Sequence, residues 1–545
     1  MAYIAPNSRV EFFKNMGLNN NFDDTLFFSS LTAKNDYFHS ISSSLDSPYR
    51  VGYADALTYA REQRGFIRVE LPMSTMLSAS YMRYKNTSYE NFWFYAFVKN
   101  VEYINDNCTQ VNFEIDPMMT WMGVFSLNEC FIERQHTLGD GIGANICGEG
   151  LDLGEYVCEG SSMTAFFGSN KIGLYKAMDK KDISEGILPY PMSQGTYAPV
   201  IRYFYPLDNS GITTLNDYIT RLTNDNRETE VFTMKLVPEH WTDTSYTSSP
   251  PTDTFSVTKP YTTIAGYTPR NKKLFTYPFK YLQVENCEGD STVYKYEYFE
   301  TLPDTVSSGE AYFQIMGSAV TPEINIMCTP KNYKGEEYCW NESINMRNFP
   351  NVAWNVDGYK AYIAQRDSTI YGNTIANSIT GAATGALHGA AFGGTGGATA
   401  GAILGAIGGL TSGMTNIFSD VINEMAGDKI PTRVPNETKG NPESNLMVQS
   451  NNKNFYFRRM CITKNYAMMI DSFFDMYGYA IRSHGTPNMN ARPYWTYVKT
   501  SGCSVDGAIP ADDASAIEKI FNHGVRFWKN HTHIGRYFDF DNRVQ

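Results

Sequence analysis

The sequence predicts a mainly β protein of several β-barrel or β-sandwich domains, interrupted by one Gly/Ala-rich apolar insertion, a helical hairpin or a flexible loop. Three observations carry that prediction. Aromatic residues make up 14% of the chain, with 38 Tyr and 33 Phe, and such side chains suit pleated, half-buried strands better than helices. Short aromatic and Thr-rich runs recur between clusters of Pro, Gly, Asn, Asp and Ser, the pattern of sandwiches and small barrels. At 545 residues the chain is too long for one hydrophobic core, so about three or four domains are expected.

Residues 1–165 are read as a β-barrel-type domain. Within it, Asn91 to Asp116 holds two strand-like runs around Asn105-Asp106-Asn107, residues that tolerate tight-turn angles, and this predicts a hairpin. Residues 138 to about 165 are Gly-rich and read as loop. A middle β-rich region follows over 166–360, with turn-rich stretches such as Trp241 to Phe255. Asn355 to Ile370 is compatible with helix and leads into the insertion, taken as 361–440. Its end, Asp428 to Asn452, is polar, carries Pro431 and Pro435, and reads as an extended return arm. Residues 441–545 resume folded sequence, expected to pack back on the first domain, with a helix over Ala514 to Asn522 announced by Asp512-Asp513.

The insertion is the most informative stretch. Between Asp367 and Asp420 there is no Asp, Glu, Lys or Arg. Glycine falls at 381, 385, 389, 393, 397, 401, 405, 409 and 413, a strict period of four. On a helix, residues four apart stack, so glycine at each makes a groove in which another helix backbone can sit closely. Each such step overshoots a full turn by about 40°, so the groove winds and one long straight helix is disfavoured. Gly393-Gly394-Thr395-Gly396-Gly397 is the natural break, leaving arms Ile370 to Phe392 and Ala398 to Phe418. Each arm has the roughly 20 residues that a bilayer core needs.

Glycine inside a helix costs about 1 kcal/mol relative to Ala, so water alone would leave the segment poorly helical. Hydropathy dominated by Gly and Ala argues against permanent membrane residence and for conditional insertion. The competing readings are a buried or channel-filling helix pair and a flexible linker; Ile403, Leu404, Ile407 and Leu410 argue against the linker. The membrane-insertion residues are therefore Ile370, Ile375, Ile379, Gly381, Gly385, Leu387, Gly389, Phe392, Gly393, Gly397, Gly401, Ile403, Leu404, Gly405, Ile407, Gly409, Leu410, Gly413, Ile417 and Phe418. His388, the one histidine inside the segment Ile370 to Phe418, reads as incidental rather than as a pH sensor.

Charge and motif searches narrow the function. Lys and Arg number 45 against 57 Asp and Glu, a net charge of −12, which disfavours gripping duplex DNA but suits a passage along which DNA must not stick. The 9 cysteines lack any C-x-x-C pair and read as reduced, mostly buried thiols of a protein made in a cytoplasm. The N-terminal MAYIAPNSRVEFFKN is not a secretory signal. No G-x-x-x-x-G-K-[ST], H-E-x-x-H or G-x-S-x-G occurs. Glu114 and Asp116, two apart in one strand, lack the facing geometry of a hydrolytic carboxylate pair. His531 and His533 are expected on one strand face, with Asp539 and Asp541 weak company for a metal. No catalytic residue, cofactor or metal is expected.

The flanks of the insertion carry a family resemblance. SYMRYKNTSYENFWFYAFVKNVEYINDNCTQVNFEIDPMMTW (Ser80 to Trp121), FIERQHT (Phe131 to Thr137) and GLDLGEYV (Gly150 to Val157) follow one another, after DDTLFFSSLTAKNDYF (Asp23 to Phe38). On the far side stand IDSFFDMYGYAIRSHGTPNMNARPYWTYVKT (Ile470 to Thr500) and IFNHGVRFW (Ile520 to Trp528). In order and number these resemble the distal tube, or tail knob, protein of small picovirus-type podophages of Gram-positive bacteria, a family that also carries a Gly/Ala-rich hydrophobic insertion. The resemblance covers about residues 20–160 and 365–530 and leaves 166–355 unaligned. It implies tail-hub-like β-barrels, a homohexameric tube and a lumen for phage DNA. It further implies contact with a proximal tail tube protein, and hydrophobic loops that plug the lumen and then enter the host cell membrane. The alternatives are a receptor-binding tail protein and a stand-alone pore-forming protein; a cell-wall hydrolase has no dyad to stand on.

Overall fold

A computed structural model of the chain describes residues 7–544 except 45, 58–64, 165–169, 178–190, 194–195, 198–199, 226, 228–229, 243–251, 301–307, 320–323, 339–341, 348, 350, 353, 357–436 and 440–452. The protein is mainly β, as its composition predicts, and divides into two compact units made of non-contiguous segments. Met1–Tyr156, Thr263–Phe279 and Ile462–Gln545 form the first unit; Val157–Thr262 and Lys280–Cys461 form the second.

The first unit holds a six-stranded antiparallel sheet in the order Arg50–Leu57, Ser8–Phe13, Tyr81–Lys85, Phe94–Asn105, Cys108–Ile115, Phe66–Val69. Cys108–Ile115 shows why it is a strand: Thr109, Val111 and Phe113 are buried and alternate with outward residues, the period of two that a half-buried sheet requires. The expected hairpin is present, with Asn105 paired to Cys108 and the Asn105 carboxamide oxygen accepting the Asn107 amide at 3.0 Å. A second, five-stranded sheet runs Asp24–Leu26, Val525–Trp528, Trp495–Ser501, Cys130–Gln135, Tyr479–Gly485. Its first pair is parallel and joins the two ends of the chain's sequence. Phe13, Phe38, Tyr81, Tyr95, Trp495 and Trp528 make the core around it, the two indoles 4.9 Å apart.

The C-terminal helix runs Ala511–His523, earlier than the sequence suggests. Pro510 occupies the cap, so Asp512 and Asp513 lie inside the first turn, where the exposed amides favour negative charge. Residues 156–163, expected as loop, are a strand, because Tyr156–Met163 finds the distant strand Tyr456–Ile462 as a partner. The His531–His533 stretch is likewise a 3₁₀ turn, not a strand: the Asn530 side chain accepts the Thr532 amide at 3.0 Å and curls the backbone.

The short segment Thr263–Phe279 belongs to the first unit because helix Lys464–Tyr477 holds it through two buried carboxylates. Asp471 accepts hydrogen bonds from the Tyr267 hydroxyl (2.7 Å), the Arg270 and Asn271 amides (2.8 and 2.9 Å) and the Asn271 side chain (2.9 Å). Asp475 pairs with Arg270, and burial pushes its carboxyl up to about 6. Glu149 joins Arg134, Lys273 and the Ala480 amide, tying the Gly-rich loop after Thr137 to the same helix end.

The second unit contains three larger sheets. Thr252–Pro260, Ser308–Ser318, Asn325–Tyr333 and Glu336–Tyr338 form one, with Ile344–Met346 also paired to Asn325–Tyr333. Val200–Pro206, Asn170–Ala177, Val231–Pro238 and Asn351–Val352 form another. Helix Asn209–Asn224 covers it with Ile212, Leu215, Ile219 and Leu222, apolar residues at helical spacing facing Ile172, Leu174, Met234 and Leu236. The third is Tyr156–Met163, Tyr456–Ile462, Lys280–Glu285 and Ser291–Tyr294. In it Lys280 sits fully buried and is neutralised by Glu159 at 2.6 Å.

Candidate functional site

The twenty membrane-insertion positions from Ile370 to Phe418, and His388 inside that segment, lie outside the described residues, as does most of the helix expected over Asn355 to Ile370. The described residues do give the base from which that segment leaves and to which it returns. Asn351–Val352 pairs with the sheet strand Val231–Pro238. Immediately afterwards Trp354–Val356 pairs antiparallel with Glu437–Lys439, in the register Trp354 to Lys439, Asn355 to Thr438 and Val356 to Glu437. Neighbouring strands lie about 5 Å apart, so the two ends of residues 357–436 start side by side. Asn355 is therefore strand rather than helix, whereas Glu437–Lys439 is extended, as the return arm was expected to be.

A turn in the second unit fastens both ends a second time. Between strands Lys280–Glu285 and Ser291–Tyr294 the chain reads Asn286-Cys287-Glu288-Gly289-Asp290. The Asn286 carboxamide oxygen accepts the amides of Glu288 (2.8 Å) and Asp290 (3.2 Å), which shapes the turn. Gly289 adopts φ +100°, a left-handed backbone that its missing side chain permits. From that turn the Asn286 side chain donates to the Asn345 carbonyl at 2.6 Å on the outgoing side. The Glu288 carboxylate accepts the Arg347 amide at 3.1–3.2 Å, also outgoing, and the Lys453 ammonium at 2.5 Å on the return. The Cys287 thiol donates to the Asn454 carbonyl at 3.4 Å.

Lys453 closes the clasp. It is 1% exposed, and its ammonium lies 4.2 Å from the centre of the Phe349 ring, so a return residue rests on an outgoing one. Burial lowers its pKa, and the bond to Glu288 opposes that shift. Asn454 and Phe455 then bond to Thr164, locking the returning chain into strand Tyr456–Ile462. One carboxylate thus holds two chain segments more than a hundred positions apart. The arrangement is a set of hydrogen bonds and one buried ion pair that fastens chain segments to the turn. Sequence reasoning missed Glu288 and Lys453, since the turn composition of 286–290 is visible but its partners are not.

The other residues singled out by sequence have structural roles. Asp116 caps helix Pro117–Trp121, accepting the Met119 amide and the Tyr81 hydroxyl, each at 2.9 Å, while Glu114 pairs with Lys99 at the surface. Burial pushes Asp116 up to about 6, against the bonds it accepts. His531 touches the Tyr37 hydroxyl and the edge of Tyr49, and burial lowers its pKa to about 4. Among the described residues no group of three or more His, Cys, Asp or Glu is placed to hold a metal, and no helix is long and apolar enough to cross a membrane. Cys130, Cys328, Cys461 and Cys503 are buried, whereas Cys158 is exposed.

Comparison with known proteins gives the following. The family described as Bacillus phage phi29, tail knob protein gp9, C-terminal domain, matches residues 243–543, more than half of the chain. The caudoviral major tail protein N-terminus matches residues 6–125. The tail knob protein gp9 of Bacillus phage phi29 is 34% identical over 139 residues, 25% of this chain and 22% of that protein. That of Bacillus phage PZA is 34% identical over 161 residues, 28% of this chain and 26% of that protein. The chain thus aligns with only about a quarter of the length of these curated relatives. The structure of the bacteriophage C1 tail knob protein, gp12, superposes with a TM-score of 0.59, covering 97% of this chain and 98% of that one; at 13% identity the likeness is one of fold.

Proposed function

The chain belongs to the family of the Bacillus phage phi29 tail knob protein gp9, a structural part of the phage tail, and from that premise we propose that it is a DNA conduit whose insertion opens the host membrane. Six copies form the distal tube. A proximal tail tube protein continues it, and phage DNA passes through the lumen without sequence-specific contacts. The twenty positions from Ile370 to Phe418 plug the lumen and enter the host cell membrane on infection. In this reading residues 1–165 and 166–360 build the wall, 361–440 is the membrane-active part, and 441–545 packs back on the tube domains. The virion tail tip is the working location of a protein made in the host cytoplasm.

The observation that carries the reading is the closed base. Trp354–Val356 paired with Glu437–Lys439 brings together the two strands that flank residues 357–436, which is what a hairpin able to leave and insert as a unit needs. The overall charge of −12 fits a wall that repels DNA into the middle of its path. The test has two arms. Negative-stain images of purified protein should show six-fold rings or tubes, and the intact chain should release dye from liposomes. A variant lacking residues 371–418 should still assemble and lose the leakage. Full leakage by that deletion variant would overturn the assignment of the segment, and a monodisperse monomer at high concentration would overturn the conduit.

A further inference from the structure

At one edge of the six-stranded sheet, the end of helix Leu31–Ser43 and strands Ser8–Phe13 and Arg50–Leu57 enclose a polar pocket of about 270 Å³. Its polar lining comes from Arg9, Glu11, Ser42, Ser43, Arg50 and Tyr53. In a chain of net charge −12, this corner is locally cationic. Glu11 stands directly opposite Tyr53 on one side and Arg83 on the other, so all three share a sheet face. Glu11 is satisfied by Arg83 at 2.7 Å and by Arg9 at 2.9 Å. Arg9 also reaches the exposed Asp55 at 3.2 Å. That leaves Arg50, whose guanidinium, like that of Arg9, lies about 5 Å from the centre of the Tyr53 ring. Among the described residues Arg50 has no carboxylate partner.

The register adds to the positive charge of this corner. Arg9 is paired directly with Lys85 on the neighbouring strand. Like charges facing each other across a ladder repel, and Glu11 and Asp55, both bonded to Arg9, offset part of that here. Among the described residues four cations (Arg9, Arg50, Arg83 and Lys85) here meet two carboxylates, Glu11 and Asp55.

We infer that this pocket binds a phosphate group, with Arg50 as its principal donor, Arg9 as the second and the Ser43 hydroxyl turned inward. The shape of the donor set selects the anion. Guanidiniums from two strands and a hydroxyl from a helix end approach from different directions, which suits a tetrahedral anion better than a planar carboxylate. The Ser43 hydroxyl bonds the Ser40 carbonyl at only 3.5 Å, so turning it costs little. The phosphate is either a free ion or one link of a phosphodiester polymer, and the chemistry at Arg50 is common to both.

Calorimetric titration of the full chain tests this with inorganic phosphate, dimethyl phosphate, a short oligodeoxythymidylate and acetate as probes. At least one phosphate probe should bind, and acetate should bind more weakly by about tenfold. Binding of the oligonucleotide and dimethyl phosphate but not the free ion assigns a polymer backbone; the reverse assigns the free anion. Arg50→Gln should weaken the phosphate probe about tenfold or more and Arg50→Lys less, because a point charge replaces the fork. Asp55→Asn, which frees Arg9, should tighten binding a few-fold. Each variant is compared at an unchanged melting temperature; if Arg50→Gln does not fold, Arg50→Lys and Asp55→Asn decide. Equal affinity for phosphate in the wild type and the Arg50 variants, acetate binding as tightly as phosphate, or no binding of any phosphate probe in the millimolar range would each overturn the proposal.

Discussion

Glu288→Gln keeps the size of the clasp residue and removes its charge. The amide oxygen can still accept the Arg347 amide, but Lys453, 1% exposed with its ammonium against the Phe349 ring, loses the carboxylate it is bonded to. Removing one partner of a buried ion pair costs about 3–5 kcal/mol. The ammonium can escape part of that by losing its proton, because burial already lowers its pKa and the lost Glu288 bond was opposing the shift. About 3 kcal/mol at neutral pH, roughly a hundredfold in the open fraction, is therefore expected. The pH dependence has a definite sign. Between the lowered folded pKa and the ordinary lysine value the unfolded chain binds more protons, so stability rises with pH in that window. The variant's penalty is thus greatest at low pH and shrinks as pH rises. Hydrogen exchange at the amides of Trp354–Val356 and Glu437–Lys439 reads the opening directly, with strand Trp495–Ser501 as an internal control. Lys453→Met added to Glu288→Gln should recover most of the loss. If Glu288→Gln changes exchange at the base strands by less than about threefold, the clasp reasoning is wrong.

Other outcomes can be stated from the first unit. Lys34 is buried and donates to the carbonyls of Met119, Thr120 and Met122 at 2.9–3.0 Å, so Lys34→Met should cost about 3 kcal/mol in urea denaturation by stranding those oxygens. Asp116 is raised to about 6 from its ordinary value of 3.8, so its contribution is full below about pH 4 and is lost as pH rises through 6. Asp116→Asn, still a good helix cap, should therefore flatten the stability profile between pH 4 and 6. Gly478 ends helix Lys464–Tyr477 at φ +64°, and a Cβ there would lie 2.4 Å from the Gln135 backbone; Gly478→Ala should lower stability by about 2–4 kcal/mol, visible as a lower melting temperature.

What the sequence discloses is what is local. The hairpin around Asn105-Asp106-Asn107 is legible because its turn residues and its alternation lie within a few positions of each other. The Asp pair before Ala514 marks a helix start for the same reason, and misplaces it by three residues because Pro510 takes the cap. The readings that failed did so for two reasons, a distant partner in one case and an unrecognised local cap in another. Tyr156–Met163 is extended because Tyr456–Ile462 lies beside it, and nothing in its own Gly and Ser content says so. His531 and His533 were expected on a strand, but Asn530 bonds the backbone locally and bends it. The clasp was hidden most completely: a glutamate in a surface-type turn and a lysine far along the chain give no sign that the fold will bury them as an ion pair.

The parallel pairing of Asp24–Leu26 with Val525–Trp528 has a consequence for synthesis. A ribosome emitting about 5–20 residues per second needs roughly 25–100 s between the first strand and its partner. Throughout that interval the nascent chain carries Leu26 and the Phe38 neighbourhood without Trp528 and Trp495 to cover them. The second unit, finished by Cys461, has all its residues in hand first. A chain that stops before Val525 therefore lacks the strand that links Asp24–Leu26 to the rest of the five-stranded sheet. Prematurely terminated copies lack the Trp528 that packs with Leu26 and Phe38 in this core.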